Sequence, residues 1–168
     1  IGLVANRPGA HTSAQRDTML RMDLTRNTSL DQLRGHSPLN PHAQLAILKA
    51  NSAVPSFSMY VHDPSECKWI SKSLLTHGRF EAGLIAAVVK ALAQNPGEWF
   101  LDIGANFGVY ALSAAAAGFY TMAVEPLHYN TELLAASAAH AGIGHRMMAF
   151  KTAVAAHRSD EAMCVISH

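Results

Sequence analysis

The chain has 168 residues, 49% of them apolar, with a formal net charge of +1 and a mean hydropathy of +0.09. This is one domain's length, with apolar content sufficient for a core. No cluster of basic residues exceeds two, which argues against a nucleic-acid footprint, and no apolar run reaches the roughly 18 residues that span a bilayer.

In chain order, residues 1–55 read as a polar N-terminal extension or linker, with Pro, Gly, Ser and Asn marking loops. A short helix is expected near Thr18–Leu24. Asn40-Pro41 has the form of a helix start, so Ala43–Ala50 is expected to be a second short helix. The first residue is Ile1 rather than Met, so the natural N-terminus is expected upstream, with the cytoplasm as the default compartment. The sequon Asn27-Thr28-Ser29 would matter only in a secretory setting.

Residues 56–168 carry the organised pattern. Phe57, Met59 and Val61 alternate in a short strand, placed at an edge. "RFEAGLIAAVVKALAQNPG" is an amphipathic helix with Phe80, Leu84, Ala87, Val88, Ala91 and Leu92 on one stripe, ended by Asn95-Pro96-Gly97. Then follow strand "WFLDI", helix "VYALSAAAA", strand "FYTMAV", helix "LHYNTELLAASAAHAG" with Pro126 in its first turn, and strand "HRMMAF". A further strand "AMCVIS" is an added possibility at the end of the chain. Short connections and near-continuous apolar strands predict an α/β, Rossmann-like fold with a partly parallel sheet and flanking helices.

In such a sheet, ligands bind beyond the carboxyl ends of the strands. Asp102 ends the first strand of the alternation and Glu125 the second. Between them, Gly104 and Gly108 bracket Asn106, residue types suited to positive φ and to close approach by a ligand. A carboxylate at the position of Glu125 can accept hydrogen bonds from both hydroxyls of a ribose. A dinucleotide fingerprint G-x-G-x-x-G begun at Gly104 would need glycines where Asn106 and Val109 stand. The pattern here is D-x-G-x-N-x-G, which offers fewer bare amides to a pyrophosphate. An acid beside the turn suits the cationic end of S-adenosylmethionine, which has no phosphate.

These residues resemble a family. "FLDIGANFGVYALSAAAAGFYTMAVEP" is similar to motif I and the acidic second-strand end of class I S-adenosylmethionine-dependent methyltransferases, and more narrowly to the FkbM type, whose pattern is close to D-[IV]-G-A-N-x-G followed by E-P. "WISKSLLTHGRFEAGLIAAVVKAL" resembles the family's upstream segment, with Ser71, Gly78 and Glu81 at its Ser, Gly and Glu, and "AFKTAVAAHRSDEAMCVISH" resembles the stretch after the third strand, with Ala153-Val154. The resemblance covers residues 56–168 and implies the cofactor-binding part of a methyltransferase domain. It implies methyl transfer to oxygen, with a hydroxyl on a carbohydrate or small metabolite as acceptor. The family's later Asp-x-Glu-Gly strand is absent, so the fold is expected to be an incomplete class I methyltransferase fold, with an open edge on "WFLDI" and doubtful activity for this chain alone.

The expected cofactor contacts are Glu81, Asp102, Gly104, Asn106, Gly108, Glu125 and Thr152, the last from its place after the third strand, where adenine lies in this architecture. Glu81 reads equally as a solvated first-turn acid. Phe107 and Tyr110 could cover a sulfonium, against core packing for at least one of them. No general base stands out and no catalytic residue is nominated. No metal is expected, because His62, Asp63 and Cys67 lack ligand spacing. Cys67 and Cys164 read as free thiols. Two alternatives stay open: an NAD-dependent oxidoreductase, and a degenerate, non-catalytic α/β module that binds a partner.

Overall fold

The computed structural model describes the backbone of Gly2–Ala5 and residues 41–154. Strand β1 (Gly2–Ala5) is followed by β2 (Gln44–Leu48), β3 (Phe57–Val61), α1 (Ile70–His77) and α2 (Ala82–Gln94). Then come β4 (Trp99–Ile103), α3 (Val109–Ala116), β5 (Thr121–Val124), α4 (His128–His140), a 3₁₀ turn (Gly144–Arg146) and β6 (Met147–Phe150). The expected helix at Thr18–Leu24 and the strand "AMCVIS" lie outside the described residues.

The expected alternation is present from β4 onward. β4, β5 and β6 are parallel neighbours, in register from Phe100↔Thr121 and from Thr121↔Met147, and helices α3 and α4 make the crossovers. The chain is therefore a mixed α/β protein with a three-strand parallel sheet and flanking helices. Helix α3 is buried around most of its circumference, at Val109, Ala111, Leu112, Ser113, Ala114 and Ala115. Its Ser113 hydroxyl donates to the Val109 carbonyl one turn back, and Ser137 of α4 does the same to Leu133, which lets both hydroxyls sit in the core.

Three expectations are corrected. Residues 43–50 do not form a helix: Gln44–Leu48 is a strand, paired antiparallel with Phe57–Val61. Eight residues are too few to hold a helix without tertiary support, whereas as a strand Ala46 and Leu48 are buried beside Met59 and Val61. The edge of β4 is not open either. β1, within the segment read as a linker, pairs antiparallel with it from Gly2↔Asp102 to Ala5↔Trp99. Finally, α2 starts at Ala82, because Glu81 has φ +44, and its buried stripe is Ile85, Val89 and Leu92 while Leu84 is exposed. A helix apolar on most sides fits more than one stripe, and its neighbours chose this one. A smaller difference is that Pro126 precedes α4, whose N-cap is Leu127.

The β2–β3 hairpin packs against α4. The Tyr60 amide donates to the Ser137 hydroxyl at 2.8 Å, and the Tyr60 ring meets His140 edge-on. The resulting core joins Met59 and Val61 to Phe107, Leu112, Leu134 and Ala138. Leu92, Phe100 and Ala114 form a second cluster where α2 meets β4 and α3.

Gly108, the N-cap of α3, has φ +93, and a Cβ built on it would lie 2.9 Å from the Leu134 side chain. Gly142 also has positive φ (+70) but faces open space. Gly142→Ala should therefore cost about 1 kcal/mol of stability from backbone strain. Gly108→Ala should cost about 1–3 kcal/mol more, from overpacking. Denaturant midpoints measure both; equal losses would show that Leu134 yields freely.

Candidate functional site

The carboxyl ends of β4 and β5 lie side by side, and the turn from β4 into α3 crosses in front of them. Three residues of that turn have positive φ: Gly104 (+76), Asn106 (+54) and Gly108 (+93). Asparagine tolerates this geometry, and here its Oδ1 accepts the Phe107 amide at 2.8 Å. Gly104 is exposed, and a Cβ there would meet nothing within 4 Å, so open space lies in front of it. Gly108 is buried, and its bare Cα serves the contact with Leu134 described above rather than an approach from outside.

The amides of the turn are already engaged. Gly104 and Ala105 donate to the Val124 carbonyl at 2.8 and 3.1 Å, and Gly108 donates to the Ala105 carbonyl at 2.9 Å. Asn106 donates to Glu125 Oε2 at 2.9 Å and Phe107 to the Asn106 side chain. No amide from 104 to 108 is left without a protein acceptor.

Both strand-end acids are buried. Asp102 Oδ2 accepts the Ala111 amide at 3.2 Å, an N–H in the first turn of α3. Gly108 has no side chain with which to cap that helix, so an acid on the strand takes the orphan donor and meets the positive end of the helix dipole. Burial nevertheless raises the Asp102 carboxyl from 3.8 to about 6; the Ala111 amide opposes the rise and the charge of Glu125 adds to it. Glu125 is surrounded by donors: Oε2 takes the Asn106 amide, and Oε1 takes the Leu127 amide at 3.0 Å and Asn130 Nδ2 at 3.1 Å. Its own amide donates to the Phe150 carbonyl, which ties in β6.

Glu81 is exposed, stands before α2 in left-handed backbone geometry and accepts a hydrogen bond from the Tyr110 hydroxyl. Desolvation raises the Tyr110 hydroxyl pKa, and the hydrogen bond and charge of Glu81, with the charge of Asp102, raise it further. Glu81 therefore belongs to the same neighbourhood as Asp102, as a bonded acid rather than a freely solvated one. Of the two aromatics, Phe107 is fully buried in the core and Tyr110 is half-buried near the acids. Thr152 is exposed just after β6; its amide donates to the Phe150 carbonyl and its hydroxyl to the Ala153 carbonyl.

Two residues at this end were not singled out from the sequence as ligand-site residues. Asn130 lies in the first turn of α4 and reaches back to the Glu125 side chain, while the N-cap residue, Leu127, has no polar side chain. His62 Nε2 lies 2.7 Å from Asn130 Oδ1. Among the described residues, no three His, Cys, Asp or Glu gather as a metal site, and Cys67 is a free thiol. No described helix is long and apolar enough to cross a membrane. Comparison of the chain with protein-family models, with curated proteins and with solved structures finds no match.

The native Asp102 carboxyl holds its proton up to about pH 6, while the unfolded one releases it near 3.8. Between these values the native state binds more protons, so this group's contribution to stability falls as pH rises, and above them its charge is a standing cost. Asp102→Asn keeps an oxygen for the Ala111 amide without that charge. It should stabilise the chain by about 1–3 kcal/mol at pH 8 and by little at pH 4. Thermal unfolding at both pH values checks this; a gain independent of pH would assign the effect to another cause.

Proposed function

We propose that this chain is the cofactor-binding part of an FkbM-like class I methyltransferase fold and takes S-adenosylmethionine at the carboxyl ends of β4 and β5. The observation that carries the reading is the state of the turn amides. Residues 104–108 have all their N–H groups engaged by protein acceptors, so they present no row of free donors to a pyrophosphate. A dinucleotide is therefore poorly served. The acids gathered at this end, Glu81, Asp102 and Glu125, suit a ligand that carries positive charge instead.

In this reading Gly104 provides the open approach, and Glu125 Oε2, with one protein donor against two on Oε1, keeps acceptor capacity for a ribose hydroxyl. Glu81 and Tyr110 border the site toward the cationic end, and Thr152 borders it at the end of β6. When bound, the cofactor supplies an electrophilic methyl group. The role left to the protein is to hold that group in line with an acceptor oxygen, on a carbohydrate or small-metabolite hydroxyl. Such positioning needs no resident base unless the hydroxyl must lose its proton in the transfer.

A second reading rests on the same hydrogen bonds. Each strand-end acid already has protein donors, so the arrangement could hold itself together with no ligand, as in a non-catalytic module. Calorimetric titration with S-adenosylhomocysteine, and with NAD in parallel, separates the readings. Saturable binding of S-adenosylhomocysteine alone is expected. Glu125→Gln should weaken it by about ten-fold or more, the scale of a hydrogen bond to a charged group. Binding of NAD alone would overturn the methyltransferase reading, and binding of neither by a folded chain would favour the non-catalytic module.

A further inference from the structure

Asn130 is 7% exposed, and both ends of its side-chain amide are used outside its own helix. Toward Glu125 it presents Nδ2, at 3.1 Å from Oε1; toward the hairpin it presents Oδ1, at 2.7 Å from His62 Nε2. An ionised carboxylate only accepts hydrogen bonds, so the amide's NH₂ must face Glu125 and its carbonyl must face the imidazole. The imidazole nitrogen opposite a carbonyl must carry a proton, which fixes His62 as a donor at Nε2. The ring is held in turn. It follows β3 directly and stands edge-on to buried Phe107, centroids 5.3 Å apart at 83°. A chain of bonds thus runs from the hairpin through α4 to the acid at the end of β5.

We propose that His62 and Asn130 are positioning residues for Glu125. They hold Oε1, so that Oε2, which takes only the Asn106 amide, is the oxygen left to accept a ribose hydroxyl. The inference rests on the reading of Glu125 as the ribose acid. Its geometric half, the pinning, stands on the hydrogen bonds alone and can be measured without any ligand.

The test has two arms, both on the full chain with folding confirmed by circular dichroism. In the first, S-adenosylhomocysteine and an analogue lacking both ribose hydroxyls are titrated into wild type, His62→Leu and His62→Gln. His62→Leu should weaken S-adenosylhomocysteine binding about five-fold, the scale of one neutral hydrogen bond, and His62→Gln, which can still donate to Asn130, should restore it to within about two-fold. The analogue should bind His62→Leu and wild type alike, and the Glu125→Gln background should erase the His62→Leu effect. A folded His62→Leu that binds S-adenosylhomocysteine normally, or that loses both ligands equally, overturns the proposal. In the second arm, ligand-free NMR reads the His62 tautomer and the exchange of the Asn130 side-chain amide protons. The expected result is a proton on Nε2 and slow amide exchange that speeds up in His62→Leu. A proton on Nδ1 alone, or unchanged exchange, overturns the pinning. If wild type binds no S-adenosylhomocysteine while this arm behaves as expected, the ribose reading fails and the pinning of Glu125 is upheld.

Discussion

The carboxylate of Glu125 is the joint on which the carboxyl-terminal end of the parallel sheet depends. Its two oxygens accept hydrogen bonds from the β4–α3 turn at Asn106, from the start of α4 at Leu127 and from the Asn130 side chain, while its backbone amide reaches β6. Three stretches of chain, the β4–α3 turn, the connection from β5 into α4 that carries Glu125 itself, and the end of β6, therefore meet at one residue. A buried charge is tolerable only when its hydrogen-bonding capacity is met, and Glu125 meets that condition with three protein donors. The requirement acts in both directions. The acid holds the turn in its left-handed geometry, and the turn keeps the acid satisfied at 6% exposure.

Asp102 follows a different logic. It has one protein donor, the Ala111 amide, and burial leaves its carboxyl hard to ionise. As a helix cap it could be replaced by a neutral side chain with the same oxygen, so its charge is not explained by capping. A strand-end acid whose ionisation costs stability is a feature of ligand sites more often than of scaffolds. The two acids thus divide the end of the sheet into a part that organises the backbone, Glu125, and a part, Asp102, that is buried against the start of α3 at a cost to its charge.

The β4-to-β6 alternation was legible in the sequence because each of its signals is local. Apolar runs end at Asp102 and Glu125, glycine and asparagine mark the turn, and the alanine-rich helix has little choice of partner. The hairpin was not. Asn40-Pro41 is a genuine local helix signal, and what overrides it is the pairing of Gln44–Leu48 with Phe57–Val61, which no window of that length contains. The β1 pairing joins Gly2 to Asp102 and is less visible still. The same limit hid part of the site. Asp102 caps a helix nine residues away in place of the side chain Gly108 lacks, and His62 reaches Asn130 across 68 residues of chain. Motifs place the acids at the strand ends, but which donors they take is decided by packing between elements.

The distribution of unfavourable features sharpens the argument for a site at this end. The two described non-glycine residues with positive φ, Glu81 and Asn106, belong to this end, together with the carboxyl shifted by burial and the tyrosine whose hydroxyl is held by an acid. Left-handed backbone at a non-glycine residue costs about 1–2 kcal/mol, and glutamate, unlike asparagine, has no short side chain with which to offset that cost locally. Elsewhere Ser113 and Ser137 bond their hydroxyls back into their own helices and small residues pack between helix and sheet, although the buried hydroxyls of Ser71 and Thr121 have no protein partner. Strain and desolvated charge gathered in one place, around a turn with open space at Gly104, support the binding site proposed above. Glu81 is the clearest case. Its backbone geometry ends the approach to α2 and aims its carboxylate at Tyr110, so the segment before α2 contributes to the same end of the sheet as the two strand-end acids.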